Sequence, residues 1–276
     1  MNFTSRAARL TGVALAASAL LGLSACSAET PAATDADASG LGTINVGALA
    51  TPAGDILKFV QDNLAADAGL EIVYNDFTDY NTPNVALADG SIDANLFQNE
   101  TFLNTFNTAT GGDLVSLGSV YLPSAAYYSD KVTSLDDLED GARIAVPNDP
   151  TNEGRALKML AGEGLIELAD EPTSLADVTD NPHNFDFVEI ENATLPQAVP
   201  DVDAAFVTIT FALPAGLTGE QAILTEGADS AYWNVLATTP ELESDPRVVK
   251  LLELLQAPET KKFMTDTWGG LVVPTA

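Results

Sequence analysis

The sequence predicts an α/β protein built from two lobes. Apolar runs that fit buried strands alternate with segments of helical periodicity along most of the chain. This alternation predicts parallel sheets with helices on both faces. Extended stretches at residues 120–128 and 232–238 interrupt it, and we interpret them as two hinge crossings between the lobes. The loops after the strand ends should then lie along one edge of each sheet, where ligands bind.

The first elements form a βαβ unit. An apolar run at residues 44–50 predicts a strand, and the spacing of apolar residues over 56–64 predicts a helix. Gly69 stands where a helix C-cap is expected, and the extended pattern resumes at residues 70–74. Two parallel strands joined by a helix are therefore expected here.

The later elements follow from the same signals. Thr82-Pro83, for example, marks a helix start with proline in the first turn. No internal repeat is evident in the sequence. The remaining predicted elements are helices over residues 85–88, 101–106, 150–161, 246–255 and 258–268, and strands over residues 92–97, 114–120, 143–146, 185–190 and 202–207.

The amino terminus has the layout of a bacterial secretion signal. Arg6 and Arg9 precede an apolar stretch at residues 10–23, and the run LSAC that ends at Cys26 resembles a lipobox. The resemblance implies that Cys26 is acylated, with chains such as palmitate, and becomes the first residue of a mature protein anchored on the extracytoplasmic face of the cell membrane. The alternatives are a plain secretory signal or an uncleaved membrane helix, but about 14 apolar and small residues are too few to span a bilayer comfortably.

These features divide the chain into four parts. The stretch that follows Cys26 has no aromatic residue and is rich in small and acidic ones, which is typical of a flexible tether. The predicted parts are a lipoprotein signal peptide at residues 1–25, the lipidated cysteine and tether at 26–42, lobe one at 43–124 plus 236–276, and lobe two with the hinge crossings at 125–235.

Composition excludes several classes of function. The net charge is −29, with 40 acidic residues against 11 basic ones, so binding to nucleic acid through phosphates is not expected. A serine or cysteine hydrolase needs a base beside its nucleophile, and the only histidine, His183, lies in a polar turn. Cys26 is the only cysteine, so a cysteine–histidine metal site is excluded. Acidic pairs such as Asp136-Asp137 are assigned to solvated faces, and neither a cofactor nor a metal is expected.

Residues 146–155, VPNDPTNEGR, run from a predicted strand end into a helix start and form the strongest candidate for a binding site. Asp149 can cap the helix, and Asn152 and Arg155 lie three residues apart on one face. Backbone N–H groups at a helix start attract anions, and an arginine can bind a carboxylate through two hydrogen bonds. The alternative is that Arg155 pairs with one of the many surface acids.

Aromatic residues at strand ends of lobe one are a second candidate. Phe77, Tyr80 and Phe97 could wall a pocket for an apolar side chain, or they could belong to the hydrophobic core. Asn234, in the return crossing, could offer its amide to polar ligand atoms.

Two long segments carry a resemblance to a known family. Residues 77–103 (FTDYNTPNVALADGSIDANLFQNETFL) and 146–157 (VPNDPTNEGRAL) are similar to the methionine-binding lipoproteins of ABC importers, and so is the segment DSAYWN at 229–234. The resemblance covers residues 43–276. It implies a two-lobed periplasmic-binding-protein fold of type II, with the ligand in the cleft between the lobes.

The same resemblance implies a function without catalysis. The protein would capture methionine or a related small amino acid and deliver it, as a monomer, to a permease driven by an ATPase. Carried over to this sequence, Arg155 would bind the ligand carboxylate and Asn152 and Asn234 other polar ligand atoms, while Tyr80 and Phe97 would contact the side chain.

The sequence departs from the family pattern at two places. Asn99 stands where the family usually has histidine, and Thr208-Ile209-Thr210 stands where it usually has asparagine-threonine-asparagine. Asn99 and Thr210 are therefore candidate site residues that change specificity. The alternatives are a receptor for another amino acid, a methionine-containing dipeptide or a small organic anion, an extracytoplasmic enzyme that uses an acidic pair, and an adhesin or signalling lipoprotein.

Overall fold

The structure is a computed structural model that describes residues 40–227 and 229–276. The predicted signal peptide at 1–25, the predicted acylation site Cys26 and most of the predicted tether at 26–42 lie outside the described residues. Among the helices of the described part, none combines the length and the apolar character that crossing a membrane requires.

The described residues form thirteen strands and eight α-helices. The strands are β1 (Gly42–Leu49), β2 (Leu70–Phe77), β3 (Ala94–Asn99), β4 (Val115–Pro123), β5 (Ala125–Tyr128), β6 (Arg143–Pro147), β7 (Glu167–Leu168), β8 (Val178–Asp180), β9 (Asp186–Ile190), β10 (Ala204–Thr208), β11 (Ala222–Thr225), β12 (Asn234–Thr238) and β13 (Val272–Pro274). The helices are α1 (Asp55–Val60), α2 (Pro83–Ala88), α3 (Glu100–Thr110), α4 (Pro150–Gly162), α5 (Leu195–Ala198), α6 (Ile209–Ala215), α7 (Pro246–Leu255) and α8 (Pro258–Trp268).

Each helix and strand predicted from the sequence has a counterpart, with shifts of a few residues at its ends. The helices predicted over 246–255 and 258–268 coincide with α7 and α8. The helix predicted over 56–64 begins as α1 and continues as a π-helical turn at Gln61–Ala65. Gly69 follows with a positive φ of 66°, a conformation that glycine adopts without steric cost, so it ends the helix as predicted.

The strands form two larger sheets. The first contains six strands in the order β13-β4-β12-β3-β1-β2, and the second contains five in the order β11-β5-β10-β6-β9. We call the first sheet with the elements packed on it the first lobe, and the second sheet with its elements the second lobe. The chain passes from the first sheet to the second between β4 and β5 and returns between β11 and β12.

The two sheets share one strand arrangement. In each sheet three neighbouring strands are parallel, namely β2-β1-β3 and β9-β6-β10. The next strand, β12 or β5, is antiparallel to them, and the fifth strand, β4 or β11, again runs in the direction of the first three. The antiparallel strand, β12 in the first sheet and β5 in the second, is the one that the chain forms on arrival from the other sheet. The predicted parallel pairing is found among these three strands of each sheet but not at β12 and β5, because a strand that arrives from the opposite sheet enters in the reverse direction.

Apolar residues cover both faces of the second sheet. Alternate residues of β6 point to opposite sides, so that Ile144 and Val146 belong to one hydrophobic cluster and Ala145 to another. Helix α4 packs on the first of these clusters through Ala156, Leu157 and Leu160. This packing fixes the start of α4 at the carboxyl end of β6.

Candidate functional site

The candidate site is built around the start of helix α4. Strand β6 ends at Pro147, and Asp149 caps the helix by accepting a hydrogen bond from the backbone N–H of Asn152 at 2.9 Å. Pro150 occupies the first helical position, where a missing N–H costs nothing. The predicted local structure of this motif is confirmed, and Asn152 and Arg155 both lie on its buried face.

Arg155 is buried, with 2% of its surface exposed. Its Nε donates a hydrogen bond to Glu226 Oε1 at 2.9 Å, and its Nη2 donates both to Glu226 Oε2 and, at 2.9 Å, to the backbone oxygen of Pro123. The ring of Tyr232 lies 4.7 Å from the guanidinium carbon. Within the described residues, no hydrogen bond involves Nη1, so one edge of the guanidinium remains available.

Four aromatic rings pack together on the apolar side of the site. Tyr80, Phe97 and Phe102 come from the first lobe and Phe211 from α6 of the second. The Tyr80 ring centroid lies 4.8 Å from that of Phe211 and 5.8 Å from that of Phe97. The Tyr80 hydroxyl is 3.0 Å from Oγ1 of Thr208, at the end of β10. These contacts join the two lobes on the apolar side of the site.

Burial raises the pKa of Tyr80, although the hydrogen bond with Thr208 and the charge of Arg155 act in the opposite direction. The hydroxyl therefore stays protonated at neutral pH. It can donate one hydrogen bond and accept others, which suits a contact with polar groups of either lobe.

Three amide side chains complete the polar side of the site. Asn152 donates from Nδ2 to both carboxylate oxygens of Asp149, at 3.2 and 3.1 Å. Asn234 donates from Nδ2 to the hydroxyl of Tyr121 at 3.0 Å. Asn99 uses Oδ1 to accept from the backbone N–H of Phe102 at 2.9 Å, which caps helix α3.

A narrow cavity lies between these groups. It encloses about 290 Å³ of space between atoms, including its mouth, and most of that space is too narrow for a water molecule. In this state the cavity has room for about one water. It is lined by Tyr80, Phe97, Gln98, Asn99, Phe102, Pro123, Asn152, Arg155, Thr208 and Asn234.

Comparison with known proteins identifies the family. The family model for NlpA lipoproteins matches residues 44–276. The chain belongs to the NlpA lipoprotein family. The D-methionine-binding lipoprotein MetQ of Salmonella typhimurium is 37% identical over 234 residues, which cover 82% of this NlpA-family chain and 86% of that protein.

Solved structures place the NlpA-family fold among substrate-binding proteins. An ABC transporter periplasmic substrate-binding protein from Coxiella burnetii matches with a TM-score of 0.81 and 37% identity, over 84% of this chain and 100% of that one. A nutrient binding protein from Burkholderia cenocepacia, bound to methionine, matches with a TM-score of 0.79 and 34% identity, over 84% and 100% of the two chains. The predicted two-lobed periplasmic-binding-protein fold is thereby confirmed.

The structure of this NlpA-family chain brings six of the eight predicted ligand-binding residues together around the cavity. Two of the eight do not line it. Phe77 is partly buried and packs beside Gly47 at the edge of the aromatic group. Thr210 is buried at the second position of α6 and does not line the cavity. The six that line the cavity are Tyr80, Phe97, Asn99, Asn152, Arg155 and Asn234.

Sequence reasoning missed the carboxylate that pairs with Arg155. Glu226 is one of 40 acidic residues, and no motif marks it, because the pairing depends on how the return crossing passes over α4. Gln98, Phe102, Pro123 and Thr208 were also missed as lining residues. Gln98 and Phe102 lie inside the segment 77–103, so that segment was the signal that could have found them.

Proposed function

We propose that this chain is the lipid-anchored substrate-binding component of an ABC importer and that it captures methionine or a related small amino acid. The observation that carries the proposal is Arg155: its guanidinium is buried, lines the cavity between the lobes, and keeps Nη1 free of partners within the described residues. A free arginine edge in an apolar, amide-lined cleft is suited to a small carboxylate.

The remaining groups fit the other parts of an amino acid. Oδ1 of Asn152 and Oδ1 of Asn234 accept no hydrogen bond from the described residues and can accept from a ligand ammonium group. The rings of Tyr80, Phe97 and Phe102 offer apolar faces to the side chain. A methionine thioether is flexible and packs favourably against aromatic rings.

The narrowness of the cavity supports a small ligand and requires movement. Because the cavity in this state has room for only about one water, an amino acid can enter only if the lobes separate. A dipeptide would need a larger displacement than a single amino acid, so the cavity favours the smaller ligand. The two crossings, between β4 and β5 and between β11 and β12, are the segments about which the lobes can turn.

The same geometry disfavours the enzyme alternative. None of the ten lining residues is acidic, so no acidic pair faces the cavity within the described residues. His183 lies in a turn, 38% exposed, with its Nδ1 3.0 Å from Asp140. We propose binding without catalysis, by a monomer that Cys26 anchors to the extracytoplasmic face and that delivers its ligand to a permease and its ATPase.

The proposal is tested by thermal unfolding of the full-length chain in detergent, with L-methionine and D-methionine added separately. A ligand at one hundred times its Kd should raise the free energy of unfolding by about 2.7 kcal/mol. Mass spectrometry of material released by denaturation would identify any ligand that co-purifies. Absence of stabilisation by either enantiomer at saturating concentration would remove methionine as the ligand.

A pair of reciprocal variants tests the role of Arg155. Arg155→Lys keeps the charge but loses the planar group that donates to several partners at once, so we expect methionine affinity to fall at least 100-fold. Lys158→Arg, one turn further along α4, is the matched control and should leave the affinity within twofold. Equal affinities in the two variants would contradict the assigned role.

A further inference from the structure

The Arg155–Glu226 ion pair is among the most buried charged pairs of the described residues. The Arg155 side chain is 2% exposed and the Glu226 side chain 9%. Glu226 uses both carboxylate oxygens, and they bind the edge of the guanidinium formed by Nε and Nη2. A buried charge that lacks a partner is unfavourable, and this geometry supplies a complete partner before any ligand arrives.

Glu226 is held in place independently of Arg155. Its backbone N–H donates to the oxygen of Ala125 at 2.9 Å, at the first residue of β5. Arg155 also donates to Pro123, two residues earlier. The outgoing and the return crossings therefore meet at this ion pair, and the carboxylate of Glu226 is positioned by the fold on the side of the guanidinium away from Nη1.

The pair leaves the cavity without net positive charge. Arg155 is the only charged residue among the ten that line it, and Glu226 balances that charge. A further carboxylate, that of Asp149, accepts hydrogen bonds from Nδ2 of Asn152, which lines the cavity. A ligand that brings only a carboxylate would add an unbalanced negative charge, whereas a ligand that also brings an ammonium group would add none.

We propose that Glu226 sets the charge class of the ligand: by neutralising Arg155 it restricts the site to zwitterionic amino acids and excludes acids without an ammonium group. This inference rests on the proposed function and deepens it. It also separates two ligand classes that the sequence left open, the amino acids and the small organic anions. Selectivity of this kind arises because binding of an acid without an ammonium group is electrostatically unfavourable. It does not require an extra contact with the amino acid.

The first test compares two ligands that differ only in the ammonium group. Isothermal titration gives the Kd of L-methionine and of 4-(methylsulfanyl)butanoate for the wild-type chain, Glu226→Gln and Glu163→Gln. A second, more open cavity lies on the other side of Arg155 and is lined by both Glu226 and Glu163. Glu163 forms no ion pair with Arg155, so its variant is the matched control. We expect the preference for methionine to fall at least tenfold in Glu226→Gln and to stay unchanged in Glu163→Gln. A preference within twofold of wild type in Glu226→Gln would overturn the inference.

The second test does not depend on methionine. Glu226→Ala leaves the guanidinium without its partner and opens space beside it, so sodium formate should raise the Tm of this variant more than sodium chloride does at equal ionic strength. The wild-type chain should show no such difference. If methionine fails to bind the wild type while formate stabilises only Glu226→Ala, the proposed function fails and the neutralising role stands. If formate acts equally on both chains, the neutralising role is overturned.

A double variant covers the case in which the single variants are too unstable for titration with ligands. Arg155→Gln combined with Glu226→Gln removes both charges, and we expect it to unfold at a higher temperature than Glu226→Gln alone. A double variant no more stable than Glu226→Gln would show that the carboxylate does not serve to neutralise the arginine, and would overturn the inference.

Discussion

At the residue scale, Glu153 shows how burial within α4 changes the chemistry of a side chain. It is 2% exposed, and its Oε1 accepts a hydrogen bond from the backbone N–H of Leu175 at 2.6 Å. Burial, opposed by that hydrogen bond but reinforced by the charges of Glu189, Asp149 and Asp177, raises the pKa of Glu153 from its ordinary value of 4.5 to about 7. The folded chain therefore holds a proton that the unfolded chain releases.

This difference predicts a pH dependence of stability. Between pH 4.5 and pH 7, Glu153 binds more protons in the folded state than in the unfolded state. The contribution of Glu153 to the free energy of unfolding therefore falls as the pH rises. Glu153→Gln keeps the acceptor oxygen and removes the titration. The free energy of unfolding of the variant, relative to that of wild type, should therefore be about 1–3 kcal/mol higher at pH 8 than at pH 4.5. Urea unfolding at several pH values measures this gain.

Glu163→Gln, an exposed change at the end of the same helix, is the control. Its free energy of unfolding should stay within a few tenths of a kcal/mol of the wild-type value at each pH. Parallel pH curves for Glu153→Gln and wild type would contradict the prediction.

Candidate site residues could be proposed from the sequence where they belong to a helix cap or a long motif, and six of them lie together around the cavity. Asn152 and Arg155 were predicted because proline and an acidic cap fix the start of α4, and the helix period then fixes which residues share a face. Asn99 was predicted as a site residue, and the structure adds that it caps α3, a role that suits asparagine better than histidine. Glu226 could not be predicted, because its partner lies 71 residues away in the chain.

At the scale of the element, the position of α4 depends on close approach of the backbone at Gly154. A Cβ atom there would lie 2.0 Å from the backbone oxygen of Pro172, so only glycine fits beside the segment that leads to Leu175. Gly162 lies in the same helix with nothing within 4 Å of a Cβ atom. The two glycines form a natural pair for comparison.

Gly154→Ala should lower the free energy of unfolding by at least about 2 kcal/mol, because the backbone of the Pro172 segment must move. Gly162→Ala should raise it by up to about 1 kcal/mol, because alanine favours the helix and restricts the unfolded chain. Urea unfolding of both variants measures the difference. Similar values for the two would show that the Pro172 segment is not packed on α4 as described.

Elements with clear end signals were predicted, and those without them were missed. Helices α7 and α8 each start with proline and keep an apolar face, so their bounds were predicted without error. Helix α6 was missed, because Ile209, Thr210 and Phe211 have low helix propensity and Pro214 lies inside it. Strands β11 and β13 have only four and three residues, which is too short for a periodic signal.

At the scale of the whole molecule, the two sheets repeat one strand order without any repeat in the sequence. Local periodicity identifies a strand but carries no information about which neighbour it pairs with. The direction of β5 and β12 follows from the route of the chain between the sheets, and this could not be deduced from either strand alone. The two-lobed architecture was predicted, whereas the antiparallel strands within it were not.

The contacts that hold the lobes together in this state predict how closure is stabilised. The Tyr80 hydroxyl from the first lobe lies 3.0 Å from Thr208 Oγ1 in the second lobe. The Tyr127 hydroxyl donates at 2.9 Å to the oxygen of Ala156, and both of these residues belong to the second lobe. Tyr80→Phe therefore removes a contact between lobes, and Tyr127→Phe removes a buried contact of similar geometry within one lobe.

Each variant should lose a hydrogen bond worth about 0.5–1.5 kcal/mol. The loss should destabilise the closed state in one variant and the folded state in the other. In Tyr80→Phe the loss falls on closure, so methionine affinity should drop about three- to tenfold and the radius of gyration measured by X-ray scattering without ligand should increase. In Tyr127→Phe the loss falls on global unfolding, so urea unfolding should show it while affinity and radius stay at the wild-type values. An unchanged radius in Tyr80→Phe, or an equal loss of affinity in both variants, would mean that this hydroxyl does not hold the lobes closed.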